Sequence, residues 1–306
     1  MIELVTTVES IGQAEKLLPM VDTIVFGEET FGLRLPCSFT HNEQKELVAL
    51  AHAAGKKAMV AVNGIMHPEK MKQVPAYLAF LNEIHVDKIT LGDPGIIYEM
   101  HQQPDLALPF VYDGETLVTN ARQINFWGHK GAEGAVLARE VPFQEMKKIA
   151  PQLDIPVEVL VYGATCIHQS KRPLLENYYH FTQQEEKSEK ARGLFLAEPQ
   201  DKNSHYSIFE DTHGTHIFAN KDLCLINQLE ELVENGFTTW KLDGIFSPGD
   251  HFVEITKLFD QARQDILAKN WKEEKAHSFF EKITKLHPKG RELTTGFYSL
   301  DPDDIK

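Results

Sequence analysis

Eight short β-type runs recur along the chain, and the stretches between them carry apolar residues at helical spacing. The runs are IELVTTV from Ile2, DTIVFG from Asp22, KAMVAVN from Lys57, DKITLG from Asp87, LALPFVY from Leu106, EGAVLARE from Glu133, VEVLVYG from Val157 and TWKLDG from Thr239. HNEQKELVALAHAAG from His41, PEKMKQVPAYLAFLNEI from Pro68 and PFQEMKKIA from Pro142 read as amphipathic helices between them. Eight strand–helix units predict an α/β fold, a closed (β/α)8 TIM-like barrel, for which about 250 residues is typical. An open doubly wound sheet is the alternative. Its nucleotide-binding versions lack support, because no GxGxxG follows the first strand and no GxxxxGK[ST] occurs.

The interval from His168 to Asp222 breaks this rhythm. GLFLAEP, HYSIFED and THIFAN alternate between polar turns and predict a small antiparallel insertion between units seven and eight. The run QQEEKSEKAR is either a solvated loop or a lid over the barrel mouth. The expected organisation is residues 1–167 for barrel units one to seven, 168–222 for the insertion, and 223–306 for the last unit. HFVEITKLFDQARQDILAKN and WKEEKAHSFFEKITK read as helices in that last part, and the polar tail SLDPDDIK as frayed.

With 31 Lys and Arg against 45 Asp and Glu, the formal net charge is −14, which opposes unassisted attraction to phosphate backbones or anionic membranes. RNA binding therefore calls for a local basic patch or a partner that supplies positive charge. Cys37, Cys166 and Cys224 are odd in number and widely spaced, unlike a secreted disulfide framework. MIELVTTVES turns polar too early for a signal peptide, and no run approaches the roughly 18 residues of a membrane span. A cytoplasmic location without membrane association is expected.

In a barrel of this kind, residues at the C-terminal strand ends meet at one mouth. They are Glu28, Asn63, Asp93, Arg139, Glu140, Cys166 and Asp243. In VEVLVYG, alternation turns Val157, Val159 and Val161 toward the helices and Glu158 into the barrel, where Arg139 or Lys241 is its expected partner. Such a pair serves structure, substrate anchoring or proton transfer. Arg139 and Glu140 before Pro142 suit a carboxylate clamp and a proton-transfer group. Asp93 in GDPG is either a site acid or a helix cap. Cys166 and His168 share a face of an extended strand, but no third group accompanies them by spacing. Cys37 and Cys224 read as small apolar occupants, the latter on the buried face of a helix. His205, His213 and His216 with Glu210 and Asp211 match no specific zinc motif, no HExxH occurs, and no metal is assigned.

The segment VEVLVYGATC resembles the signature of the collagenase-like peptidase family, U32, in its order of Glu, hydrophobic run, Gly, small residue and Cys. The resemblance extends through DTIVFGEETFGLR, HAAGKKAMVAVN, DKITLGDPGI, VTNARQINFWGHKGAEGAVLAREVPFQEM and DLCLINQLEELVENGFTTWKLDG. It implies a barrel-like domain, and an activity that is either peptide hydrolysis or hydroxylation of transfer RNA uridine or of ubiquinone precursors. Hydroxylation-associated members bind an iron–sulfur cluster through further cysteines. Here Cys166 matches the first, IHQSKRPLLENYYHFTQQ supplies no other, and LFLAEPQ stands where a cysteine segment is expected. Three cysteines exclude a four-cysteine cluster within one chain. The pattern resembles the smaller, cluster-free member of a paired system for wobble-uridine hydroxylation, which implies a larger paralogue as partner, transfer RNA reached through it, and prephenate as co-substrate. Position at the mouth and inside the barrel predicts catalytic service for Glu140, Glu158, Asp93, Cys166 and Asp243, and substrate binding for Arg139, Lys241, Asn63, Glu28 and His168. For Arg139 the resemblance adds a carboxylate of prephenate as the group bound. The family's Lys, hydrophobic, Glu, Gly, Arg motif reads Lys241, Leu242, Asp243, Gly244, Ile245 here, so its arginine is absent. A non-catalytic scaffold is the remaining reading.

Overall fold

The computed structural model describes residues 1–202 and 204–304, with the Thr116 side chain left aside. Seven strands come first: β1 (Glu3–Thr7), β2 (Thr23–Phe26), β3 (Lys57–Val62), β4 (Lys88–Leu91), β5 (Phe110–Tyr112), β6 (Ala132–Val136) and β7 (Val157–Gly163). The chain then leaves the barrel through β8 (Cys166–Ser170), β9 (Phe195–Leu196), β10 (Tyr206–Asp211) and β11 (Gly214–Phe218). It returns along β12 (Lys221–Cys224), supplies β13 (Thr239–Leu242), and adds β14 (Glu292–Thr294) near its end. Consecutive strands from β1 to β7 pair in parallel, and β13 pairs in parallel with both β7 and β1. The ring is therefore closed with eight parallel strands, as the alternation predicts.

The helices that cover the ring are α1 (Ile11–Leu17), α2 (His41–Ala53), α3 (Pro68–Met71), α4 (Val74–Glu83), α5 (Pro94–Gln102), α6 (Ala121–His129) and α7 (Phe143–Ile149). After them come α8 (Leu174–Thr182) in the insertion, α9 (Leu229–Glu234), α10 (Asp250–Leu267) and α11 (Glu273–Leu286). Local chemistry sets several ends. Thr40 and Glu43 form a reciprocal capping box at α2. The helical stretch from Pro68 breaks into α3 and α4, with Pro75 in the first turn of α4, where its missing N–H costs little. No described helix is long and apolar enough to cross a membrane.

Two apolar layers separate inside from outside. Val5, Val25, Met59, Ala61, Val111 and Val136 cluster within the ring. Val157, Val159 and Val161 join the larger core beneath the helices, so their neighbour Glu158 faces inward, 4% exposed. LALPFVY yields a strand only at Phe110–Tyr112, because Pro109 cannot donate to a ladder.

The four-stranded antiparallel sheet has the order β8-β11-β10-β9 and carries α8. It packs on the barrel through Ala164, Phe209, Phe218 and Ile245. Polar contacts fix it from the side: Thr212 N–H and His213 Nε2 reach Glu29, and Lys190 Nζ donates to the Leu35 carbonyl at 3.0 Å. Lys190 lies in QQEEKSEKAR, so that run ends in a barrel contact. Cys224 lies in β12, opposite Tyr162 of β7, rather than on a helix. The apolar triplet Leu223–Leu225 suits either element, and pairing with the C-terminal end of β7, beyond the part that β6 covers, decides it. Cys37 is exposed rather than packed. The tail forms a short 3-10 turn at Pro302–Asp304, while Ile305 and Lys306 lie outside the described residues.

Candidate functional site

The barrel interior narrows to a buried ion pair. Lys241 on β13 places Nζ 3.2 Å from Glu158 Oε1 on β7. Burial raises the Glu158 pKa, and Lys241 opposes that shift. Burial would lower the Lys241 pKa, but Glu158, then Asp113 and Asp243, outweigh it and hold it above its ordinary value. Arg139, the other expected partner, turns instead to Glu115, 4.0 Å away.

Above this pair, the loop after β2 bends at Arg34, whose φ is 52°. A left-handed non-glycine residue in this loop turns the long side chain back under the inserted sheet. Arg34 is 9% exposed. Its guanidinium donates to Gln169 Oε1 at 2.8 Å on β8 and is paired with Glu115. Burial would lower its pKa, yet Glu115, Cys166, Asp113 and Asp243 together raise it. Asn63 donates to Asp113 Oδ2 at 2.8 Å and accepts from Leu33 N–H at 2.9 Å, tying β3, β5 and the Arg34 loop together. Asp113, Glu115, Arg139, Glu140 and Cys166 line one small cavity. Arg34, Lys190, Cys37 and Asp211 line a larger one of about 270 Å³ between barrel and insertion.

Other strand-end residues face elsewhere. Glu28 pairs with His41 at 3.1 Å and lies 3.5 Å from Gln44, so its carboxylate turns to α2. Asp93 caps α5 through Gly95 N–H and accepts Met66 N–H, which occupies both carboxylate oxygens. His168 is exposed on β8, opposite Ile217. Asp243 accepts Ile245 N–H at 3.0 Å. Its backbone approaches Gly163 so closely that a Cβ there would lie 2.6 Å from the Asp243 carbonyl oxygen, which explains the glycine that ends β7 at φ 134°.

The sequence model of peptidase family U32 matches residues 13–306. The chain belongs to peptidase family U32. Among its relatives, tRNA hydroxylation protein P2 of Bacillus subtilis (strain 168) is 36% identical over 292 residues, 92% of this chain and 93% of that protein. tRNA hydroxylation protein P1 of the same organism is 26% identical over 86% of this chain and 66% of its own length. Among solved structures, the U32 peptidase Mk0906 aligns with a TM-score of 0.53 at 14% identity, covering 81% of this chain and 95% of that one, a likeness of fold.

In this U32 chain the residues that spacing did not single out for the mouth are Arg34, Asp113, Glu115, Asp211 and His216. Asp113 follows β5 directly, so the strand-end rule that selected Asn63 applies to it equally. Arg34 sits eight residues past the end of β2, and nothing in its local pattern marks it. His216 pairs with Asp211 at 2.9 Å, an arrangement set by the β10–β11 hairpin. Among the described residues, no group of three or more His, Cys, Asp and Glu is placed to hold a metal ion.

Proposed function

We propose that this U32 chain takes part in hydroxylation of the wobble uridine of transfer RNA, together with a larger member of its own family. The observation that carries this reading is the 36% identity to tRNA hydroxylation protein P2, which runs over nearly the whole of both chains. The longer P1 relative in the same organism supports a larger partner. A formal charge of −14 suits a division of labour in which the partner supplies the positive surface for RNA.

Within that reading the mouth handles an anionic co-substrate such as prephenate. Arg139 and Arg34 share Glu115, so a carboxylate of the co-substrate displaces Glu115 from one guanidinium and takes up the fork. Glu140, on the rim of the same cavity, is the proton-transfer candidate, and Lys241 fixes the positive charge below it.

The test is deletion of the gene in its host, with the related genes accounted for, followed by mass spectrometry of digested transfer RNA. Loss of hydroxylated uridine, restored by wild type and not by Glu140→Ala, is expected. Unchanged modification would end this reading and bring peptide hydrolysis, the activity in the family's name, to the front.

A further inference from the structure

The inserted sheet brings Cys166 to His216 rather than to His168. β11 runs antiparallel to β8 with Phe218 opposite Cys166 and His216 opposite Gln169, and the register shifts between Ile217 and Phe218. His216 and Phe218 alternate onto one face of β11, so thiol and imidazole stand on the same side of the sheet as diagonal neighbours. Burial would lower the His216 pKa, and the Asp211 carboxylate that accepts from the ring, then the neighbouring Cys166, raise it instead.

The histidine is built in as a base would be. It is 0% exposed, and its Nε2 lies 2.9 Å from Asp211 Oδ1. Asp211 is itself held by His213 N–H at 2.7 Å. With the Nε2 proton directed to the carboxylate, Nδ1 carries the lone pair. That nitrogen is buried without an aligned hydrogen-bond partner. The Cys166 thiol donates to the His168 carbonyl at 3.3 Å, and rotation about Cα–Cβ swings it toward the ring. The Arg34 guanidinium lies near the sulfur, and Cys166 opens onto the cavity of Glu115, Arg139 and Glu140.

We propose that Cys166, His216 and Asp211 act as nucleophile, base and orienting carboxylate, and that the thiol adds to C6 of a uracil ring. The uracil assignment rests on the transfer RNA reading above. His216 Nδ1 takes the thiol proton, and the sulfur lone pair forms the S–C6 bond. The C5=C6 π pair moves through C4 to O4, where the Arg34 guanidinium is the neighbouring charge for the developing oxyanion. C5 thereby becomes the nucleophilic carbon of an enolate. In reverse, His216 returns its proton to C5, the other C5 hydrogen leaves as a proton, and the S–C6 bond breaks. The addition alone therefore exchanges the C5 hydrogen with water and consumes no oxidant.

Two measurements on the intact chain test this. The first is iodoacetamide alkylation at pH 7, followed cysteine by cysteine by mass spectrometry. Cys166 is expected to react about tenfold faster than exposed Cys37, and His216→Gln or Asp211→Asn to remove the difference. Equal rates in the wild type, or no effect of either variant, would overturn the activated thiol. The second adds purified protein to lysate of the deletion strain with an anticodon stem–loop carrying C5-deuterated uridine at the wobble position. Deuterium is expected to pass to water with wild type and not with Cys166→Ser, with Cys166→Ala as a second thiol-free protein. Washout no greater than with the variants overturns the addition step. If Cys166→Ser also restores hydroxylation in cells, the inference falls while the transfer RNA reading stands. If deletion leaves modification unchanged, the reading falls and the uracil assignment falls with it. Peptide cleavage that depends on Cys166 would replace the ring carbon by an acyl carbon and overturn the assignment.

Discussion

Glu158 and Lys241 meet inside the barrel at 3.2 Å, from strands β7 and β13 that close the ring. Their exposures are 4% and 8%, so neither charge is solvated if its partner is removed. The hydrophobic run around Glu158 therefore carries a charge because the adjacent strand supplies its counter-charge at the seam of the barrel.

Breaking this pair leaves one buried charge unmatched. Glu158→Ala or Lys241→Met is expected to destabilise the fold by about 3–5 kcal/mol, read from urea unfolding. The double variant Glu158→Leu with Lys241→Met recovers most of that loss, because no orphaned charge remains. A single variant that unfolds within about 1 kcal/mol of wild type would show that the pair contributes little.

Arg34 joins the barrel to the inserted sheet through Glu115 and Gln169. A lysine cannot make both contacts with one ammonium in the same geometry. Arg34→Lys should leave the barrel folded but expose the insertion to protease, and lower hydroxylated uridine in the rescued strain by about tenfold or more. Wild-type protease resistance and full rescue would remove Arg34 from both roles.

His213 anchors the β10–β11 turn by hydrogen-bonding the Glu29 carbonyl at 2.7 Å. Burial, then Lys70, pushes its pKa down to about 4, against the opposing pull of Asp211. The folded pKa lies below the unfolded value, so the stability it contributes is full above pH 6.5 and is lost as pH falls toward 4. The loss amounts to about 3 kcal/mol at the acid end of that window. His213→Gln should flatten the dependence between pH 7 and pH 5 in a denaturant titration. An unchanged slope would assign the acid sensitivity to other groups.

Arg291 binds Asp222 through two nitrogens, at 2.8 and 2.5 Å, and also reaches Ser207 and the Ala219 carbonyl. One side chain thus ties the C-terminal segment to the strand on which the insertion returns. Arg291→Ala leaves buried Asp222 with His287 at 3.4 Å as its remaining ionic neighbour. A loss of about 3 kcal/mol and early tryptic cleavage near Lys289 are expected. Wild-type cleavage kinetics would count against the clamp.

Much of this architecture follows from local pattern. Strand–helix alternation identifies the barrel, and period-two alternation in VEVLVYG turns Glu158 inward, because side-chain direction in a strand depends only on residue parity. The same rule brings Asn63, Arg139, Glu140 and Cys166 to one end. It does not say which of them face each other: Asp93 spends its carboxylate on a helix cap, and Glu28 turns to α2.

By itself the sequence determined the strand–helix alternation, the inserted antiparallel segment and the inward charge on β7, since each rests on periodicities within a few residues; the choice of a closed ring over an open sheet came with the pairing of β13 to both β7 and β1. Tertiary structure decided the partners. Lys241 rather than Arg139 meets Glu158, the register of β11 on β8 sets His216 diagonally across from Cys166, and Arg34 reaches the mouth from a loop with no periodic signal. Such pairings join residues 50 to more than 100 positions apart in the chain, and ring closure and strand register set them, which no local spacing encodes.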